Sequence, residues 1–276
     1  MIKDIAVHLT GSEEDEVRIL HAEALARTLD AHVTGLLVHT MPELIAVTDP
    51  TGSAFLRQMI AESESRAEVS SGKLKARLDQ SGLRYDLKRL DVYPSAVGNT
   101  LAEEVRTSDI FLGTRPYGDP TGGQRIEETV LFKSGRGCIF VPPHDKPKKS
   151  TYDVVFVAWK PTREAARAVA ESLPILRRAS QVVVGLVEED GASEQFKVEV
   201  GADIGRYLSR HDITAEVRKI AGWAYAGEAL LNEAQQIGAD LIVMGGYGHT
   251  RFTEWVLGGA TRHILSNAAI PVLTAH

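Results

Sequence analysis

Residues 241–261 of the chain, LIVMGGYGHTRFTEWVLGGAT, contain the strand and the glycine pattern that decide the fold. The segment opens with an apolar run, 241–244, which is typical of a buried β-strand. Glycines follow at positions 245, 246 and 248 and again at 258 and 259. Because glycine allows positive φ and a close approach to a ligand, a strand, a glycine turn and a helix start can present several N–H groups to an anion. The same glycines also suit a tight turn with close helix-to-sheet packing, so the local pattern leaves both interpretations open.

This strand is the fourth in a pattern of strands and helices that occurs twice along the chain. Apolar and mixed runs predict strands at 5–9, 33–38, 85–90, 110–112 and 138–141, and again at 154–159, 182–187, 215–220, 241–244 and 271–274. Helical periodicity lies between them, for example at 55–78, 97–105, 194–208 and 226–237. Apolar strands separated by amphipathic helices indicate a parallel sheet covered on both faces. We therefore predict an α/β fold with two doubly wound five-stranded parallel-sheet domains.

A proline-rich polar segment, PPHDKPKKS at 142–150, separates the two copies. It lacks apolar periodicity, as expected of a linker. The predicted domains are residues 1–145 and residues 151–276. The chain of 276 residues fits two such domains, since single hydrophobic cores stop growing at about 250 to 300 residues.

Composition excludes several classes of protein. The chain has 43% hydrophobic and 25% charged residues. These are ordinary globular proportions, and they exclude disordered, collagen-like and coiled-coil proteins. A formal charge of −6 without a dense basic run argues against nucleic acid as a partner. The single cysteine, Cys138, cannot form an intrachain disulfide. The start, Met1 to Asp4, has no export signal, and no window reaches about 18 apolar residues, so we expect a cytoplasmic protein without a membrane partner.

The spacing of the glycines, in its strand context, resembles the universal stress protein family. Gly245, two residues, Gly248, nine residues and Gly258 match the glycine pattern of its ATP-binding members. The segments AWKPTREAA at 158–166 and NAAIPVL at 267–273 resemble the family's first strand-to-helix turn and its closing strand. Because the resemblance covers both halves, the chain is identified as a tandem universal stress protein with the fold of the adenine-nucleotide alpha hydrolases.

The resemblance implies a nucleotide site in the C-terminal domain. An adenine nucleotide, ATP with Mg²⁺ as its companion, would be held by the glycine-rich backbone at its phosphates and ribose and by main-chain atoms near Val187 at its base. His249 and Arg251 lie within the loop and offer side-chain donors that suit phosphate oxygens. The implied site residues are Gly245, Gly248, His249, Arg251, Gly258, Gly259, Ala260, Val187, Ala158 and Lys160.

Two positions of this domain depart from the family pattern. Gly259 stands where ATP-binding relatives have serine or threonine, so a hydroxyl donor would have to come from Thr261 or Thr250. Lys160 stands in the first loop, where such relatives often have an acidic residue. Its ammonium group would reach a phosphate or be solvated.

The N-terminal domain keeps a glycine turn but loses the later glycines. Ile126 and Glu127 stand opposite Gly258 and Gly259 in the sequence alignment of the two halves. A β-branched side chain blocks the close approach of a phosphate, and a carboxylate repels it. We therefore expect the N-terminal domain to bind no nucleotide in this way.

Three functions are compatible with the sequence. The leading one is regulatory binding of an adenine nucleotide in a stress response. The second is a stress protein that acts through a protein partner or another small molecule without nucleotide. The third is an enzyme, either a slow ATPase or an adenylylating relative, but the Ser-Gly-Gly-x-Asp type of loop expected of the latter is absent. No catalytic or metal-binding residue is predicted, since HExxH, GxSxG and P-loop patterns are also absent.

The resemblance further implies that domains pair through their last strands. The strands at 138–141 and 271–274 would then add edge to edge within one chain and cover edges that are otherwise open to aggregation. The expected assembly is this intrachain pseudo-dimer or a homodimer.

Overall fold

The computed structural model describes residues 1–43, 50–117, 126–143, 147, 151–187, 194–247 and 259–276, with the side chains of 50–53 and 194–198 left out. Its strands are β1 Asp4–Leu9, β2 His32–Thr40, β3 Tyr85–Val92, β4 Ile110–Thr114, β5 Gly137–Val141, β6 Val154–Ala158, β7 Gln181–Val187, β8 Ala215–Ile220, β9 Leu241–Gly245 and β10 Val272–Ala275. Its helices are α1 Glu14–Leu29, α2 Pro50–Asp79, α3 Val97–Val105, α4 Ile126–Lys133, α5 Arg163–Leu176, α6 Glu194–Ser209, α7 Ala226–Gln236 and α8 Gly259–Asn267.

The strands form one ten-stranded sheet in the order β3-β2-β1-β4-β5-β10-β9-β6-β7-β8. Neighbouring strands within each half are parallel, and the strand order reverses between β1 and β4 and between β6 and β9. This arrangement confirms the prediction of two doubly wound five-stranded halves.

The two halves join through an antiparallel pair, β5 and β10, in which Leu273 lies opposite Ile139. The predicted edge-to-edge pairing of the last strands within one chain is therefore confirmed. Because this pair is antiparallel, the carboxyl ends of the first half's strands and those of the second half's strands lie at opposite edges of the sheet.

The core has two layers, one on each face of the sheet, and each layer contains residues from both halves. Helices α1, α2, α5 and α6 cover one face, and α3, α4, α7 and α8 cover the other. Along β5 the side chains alternate between them: Ile139 belongs to the first layer, and Cys138 and Phe140 to the second. Each layer is therefore continuous across the two halves. Among the described residues, no helix is both long enough and apolar enough to cross a membrane.

Some predicted boundaries differ from the observed ones. Strand β6 ends at Ala158, so Trp159 lies just beyond it, and β10 begins at Val272 rather than at Pro271. Proline has no N–H to donate to a neighbouring strand, which explains why the ladder starts one residue later. Helix α2 begins at Pro50, earlier than the apolar periodicity indicated.

Candidate functional site

The candidate site lies at the carboxyl ends of β6 and β9, where the strand order of the second half reverses. In open α/β sheets ligands bind in the crevice at such a point. Ala158 at the end of β6 pairs with Met244 of β9 and is buried. Val187, at the carboxyl end of β7, is half-buried and lies opposite Ile220 of β8. The structure thus brings three strand ends that carry predicted site residues to one edge.

Four predicted site residues lie outside the described residues: Gly248, His249, Arg251 and Gly258. Six are described: Ala158, Lys160, Val187, Gly245, Gly259 and Ala260. The roles that the sequence suggests for the first four stay predictions.

The first two glycines of the motif are required by packing. A Cβ built on Gly245 would lie 2.5 Å from the backbone nitrogen of Ala165 and 2.9 Å from the carbonyl carbon of Glu164, at the start of α5. A Cβ on Gly246 would lie 2.7 Å from Oγ1 of Thr274. The sequence left two interpretations of these glycines open. Close packing, one of the two, explains why positions 245 and 246 have glycine. A contact of the Gly245 backbone with a ligand stays a prediction.

The start of α8 has a different environment. Gly259 is exposed, and a Cβ built on it would meet no described heavy atom within 4 Å. Ala260 is half-buried, whereas Thr261 is 7% exposed. The first four N–H groups of an α-helix have no intrahelical acceptor, and they form the positive end of the helix dipole. The first turn of α8 therefore offers N–H donors that no described residue covers at Gly259.

The start of α5 forms the other wall of the crevice. Thr162 caps this helix by accepting a hydrogen bond at Oγ1 from the N–H of Ala165, and its own N–H donates to the carbonyl oxygen of Lys160 at 2.7 Å. The Lys160 side chain is exposed. Burial tends to raise the pKa of Glu164, but hydrogen bonds from its backbone N–H and from Arg163 outweigh burial and hold this pKa below its ordinary value. Glu164 thus places a negative charge in the first turn of α5.

Helix packing corrects the sequence alignment of the two halves. A Cβ built on Gly98 in α3 would lie 2.9 Å from Cβ of Thr129 in α4, and one on Gly227 in α7 would lie 3.0 Å from Cβ of His263 in α8. Thr129 therefore corresponds to His263. The sequence alignment of these helices was wrong by two residues, because it followed matching residue types instead of the packed face.

Glu127 therefore corresponds to Thr261, and not to Gly259 as the sequence alignment had it. His8, which follows Val7 at the end of β1, corresponds to Ala158 by its place in the strand register. In the first half, Nδ1 of His8 lies 3.0 Å from Oε1 of Glu127, and these side chains are only 4% and 13% exposed. At the same two places the second half has an alanine and a threonine.

A buried arginine closes the rest of the first half's crevice. Arg18 of α1 is 2% exposed and donates from Nη2 to Oδ1 of Asp15 at 2.7 Å and to Oγ1 of Thr10 at 3.0 Å. Its Nη1 donates to Oγ1 of Thr114, at the end of β4, also at 3.0 Å. Thr10 is the counterpart of Lys160. The first half therefore fills its crevice with its own polar side chains.

A cavity of about 610 Å³ lies elsewhere, at the amino ends of β6, β9 and β10. Leu231, Ile270 and the side chains of His21 and Tyr152, whose Nδ1 and hydroxyl lie 3.0 Å apart, contribute to its lining. It is at the edge of the sheet opposite to the start of α8. None of its described lining residues lies at the start of a helix, so it lacks the N–H donors that the first turn of α8 offers.

Known proteins resemble the chain in sequence and in structure. Residues 151–276 match the model of the universal stress protein family. A universal stress protein of Synechocystis sp. is 33% identical over 69 residues, a match that spans 25% of this chain and 23% of that relative's length.

Solved structures extend the likeness to the whole chain. A universal stress protein from Archaeoglobus fulgidus has a TM-score of 0.76 at 17% identity, covering 99% of this chain and 95% of that one. A putative universal stress protein from Pseudomonas aeruginosa has a TM-score of 0.63 at 13% identity, covering 99% and 92%. At these identities the likeness shows a shared fold. Residues 151–276 therefore form a domain of the universal stress protein family, and the N-terminal half repeats the same fold.

Proposed function

We propose that the C-terminal half binds an adenine nucleotide, with ATP as the preferred ligand, as a regulatory ligand of a cytoplasmic stress protein. The observation that carries the proposal is the contrast between equivalent positions. His8 and Glu127 close the crevice of the first half, whereas Ala158 and Thr261 stand at these places in the second. Small side chains leave room for a ligand where the first half has its own carboxylate.

The phosphates would be bound at the start of α8. The N–H groups of Gly259 and Ala260 would donate to phosphate oxygens, and the positive end of the helix dipole would favour their charge. Thr261 occupies the place from which Glu127 reaches across the crevice of the first half, so its hydroxyl would supply the donor that Gly259 lacks. Lys160, exposed at the mouth of the crevice, would pair with a terminal phosphate or with the charge left after Mg²⁺ binds.

The remaining predicted residues complete this proposal. Gly248 and Gly258 would give the loop its close approach to the phosphates, with His249 and Arg251 as side-chain donors. Val187 would contact adenine through main-chain atoms at the end of β7. Hydrolysis would be slow and incidental, because regulation requires binding and not turnover.

In the first half the same chemistry would oppose a nucleotide. The Glu127 carboxylate and the Asp15 carboxylate both lie at the crevice, and Arg18 and His8 are already bonded to them. A phosphate would have to displace Arg18 and His8 and would then lie beside two carboxylates that have lost these partners, which is strongly unfavourable. One nucleotide per chain is the expected stoichiometry.

The test is calorimetric titration of the purified protein with Mg–ATP, together with mass spectrometry of any ligand released by acid. Wild type should bind one nucleotide. The double variant Ala158→His/Thr261→Glu copies the closing pair of the first half into the second. A carboxylate about 5 Å from a phosphate charge at an effective dielectric constant of about 20 costs about 3 kcal/mol, so affinity should fall at least about 100-fold.

Two further variants complete the comparison. Thr261→Ser keeps the hydroxyl and should bind within about threefold of wild type. Gly248→Val should lose binding because its side chain obstructs the loop. Wild-type protein that neither carries nor binds an adenine nucleotide would refute the proposal, and the nucleotide-independent function would replace it.

A further inference from the structure

Tyr247 lies at the root of the glycine loop in a backbone conformation that its neighbours must hold. It follows Gly245 and Gly246 at the end of β9, and its φ of 52° is in the left-handed region. Residues other than glycine occupy this region sparsely, and a tyrosine persists there only where surrounding contacts favour it. The contacts of Tyr247 therefore help to set the path on which the chain leaves β9 toward the predicted phosphate-binding residues.

Several contacts of Tyr247 come from the N-terminal half. Its hydroxyl is hydrogen-bonded to the hydroxyl of Tyr117, and both side chains are buried. The ring of Phe132 in α4 packs on the Tyr247 ring with 5.1 Å between centroids. Phe132 also packs edge-on against His276 at 4.6 Å, and Nδ1 of His276 lies 3.2 Å from the carbonyl oxygen of Gly246. The first half thus contacts the loop root both directly and through His276.

Residues that follow β4 in the first half also contact helix α8 of the second half and the residue after it. Tyr117 follows β4 of the first half, but the guanidinium carbon of Arg262 in α8 lies 5.5 Å from its ring centroid. Arg115 donates from Nη1 to the carbonyl oxygen of Ala268, just past the end of α8, at 3.0 Å. The segment after β4 therefore contacts both the root of the glycine loop and the helix whose first turn is proposed to bind phosphate.

From these contacts we infer that Tyr117 and Phe132 of the N-terminal half are positioning residues for the nucleotide site of the C-terminal half, an inference that rests on the proposed function. They act by holding Gly246 and Tyr247 in place. The apparent affinity of a site falls in proportion to the fraction of molecules in which it is correctly formed. Loss of the tyrosine pair therefore weakens nucleotide binding, and by linkage bound nucleotide strengthens the contact between the halves.

The test compares two tyrosine hydroxyls, each of which joins the halves. Tyr117→Phe removes the bond to Tyr247. The matched control, Tyr152→Phe, removes the bond to His21 at the opposite edge of the second half's strands. In Mg–ATP titrations, Tyr117→Phe should weaken binding about three- to tenfold, the value of one hydrogen bond, and Tyr152→Phe less than about twofold. Tyr247→Phe and the double variant with Tyr117→Phe should weaken it no further, since all remove the same bond.

Hydrogen exchange gives a second readout that needs no nucleotide. The N–H of Gly246 donates to the carbonyl oxygen of Ala275 at 2.9 Å, so its exchange reports on the loop root. Tyr117→Phe should raise the exchange rate of this amide about three- to tenfold, and Tyr152→Phe should leave it unchanged.

The outcomes separate the inference from the proposed function. If wild type binds ATP and Tyr117→Phe changes neither affinity nor exchange, the inference is overturned and the nucleotide site stands. Equal losses in Tyr117→Phe and Tyr152→Phe would also overturn it, because they indicate general loosening of the contact between halves. Failure of wild type to bind ATP refutes the proposed function, and the inference falls with it.

Discussion

Replacing single glycines of the 245–259 motif by alanine should separate packing from ligand binding. In Gly245→Ala the new Cβ would lie 2.5 Å from the backbone nitrogen of Ala165. Backbone atoms at the start of a packed helix cannot move aside without displacing α5 or β9. In Gly259→Ala the new Cβ would meet no described heavy atom within 4 Å. The two substitutions add the same methyl group at two ends of one motif, so each serves as the control for the other.

The magnitude follows from these distances. Adding a methyl group to a well-packed interior costs about 1 to 3 kcal/mol, whereas a substitution in open space changes stability by about 0.5 kcal/mol or less. In proteins of about 150 to 250 residues, 1 kcal/mol corresponds to about 2 to 4 °C in the midpoint of thermal unfolding. Gly245→Ala should therefore lower the midpoint by about 2 to 12 °C, and Gly259→Ala should move it by about 2 °C at most.

The assay is thermal unfolding followed by circular dichroism, without nucleotide, so that no ligand contributes to stability. A Gly245→Ala protein that unfolds at the wild-type temperature would refute the packing account of this glycine. It would leave the close approach of a ligand as the reason for glycine at that position. A large loss in Gly259→Ala would refute the description of open space at the start of α8.

Three further predictions concern buried polar groups. Burial, followed by the charge of Glu171, raises the pKa of the Cys138 thiol well above its ordinary value, so iodoacetamide at about pH 8 should modify it only after denaturation, as mass spectrometry would measure. The pKa of Glu164 lies below the ordinary 4.5, so its ionised form stabilises the fold above about that pH and the benefit is lost as pH falls further. The difference in urea midpoint between wild type and Glu164→Gln should accordingly shrink from neutral to acidic pH, and a constant difference would contradict it. Arg18→Met removes the cation paired with the buried Asp15 carboxylate and should destabilise the fold by up to about 3 to 5 kcal/mol, whereas Arg18→Met/Asp15→Asn, which removes the charge but keeps an acceptor for the N–H groups of Thr10 and Gly11, should recover part of the loss in urea unfolding.

The strands were predictable because their signal is local. Runs such as 241–244 and 138–141 are apolar over the length of a strand, and parallel strands buried on both faces need no alternation of polar residues. The pairing of β5 with β10 came from the family resemblance, and the structure confirms it. Predicted strand ends were less accurate where a single residue decides them, as at the start of β10 after Pro271.

The polar contacts across the crevice were not predictable in this way. His8 and Glu127 are 119 positions apart, so no periodicity connects them. Their pairing follows from which face of α4 packs on α3, and the sequence alignment had this face wrong by two residues. The contact of Tyr117 with Tyr247 likewise depends on two loops that meet only because the halves share a sheet. A comparison of buried positions in the two halves would have aligned α4 with α8 correctly. Burial is known, however, only once the helices are packed.

Fusion of the two halves in one chain allows their two crevices to carry different residues. In a dimer of identical domains, a residue that fills one crevice fills both. Here His8 and Glu127 occupy positions independent of Ala158 and Thr261, although β5 and β10 still pair as equivalent strands. The crevice lies at strand ends, and the strand order of the half whose crevice is filled is the same as that of the other half. A half that no longer has to admit a ligand is free to use the segment after β4 as a support for its neighbour, and Tyr117 is placed to give that support.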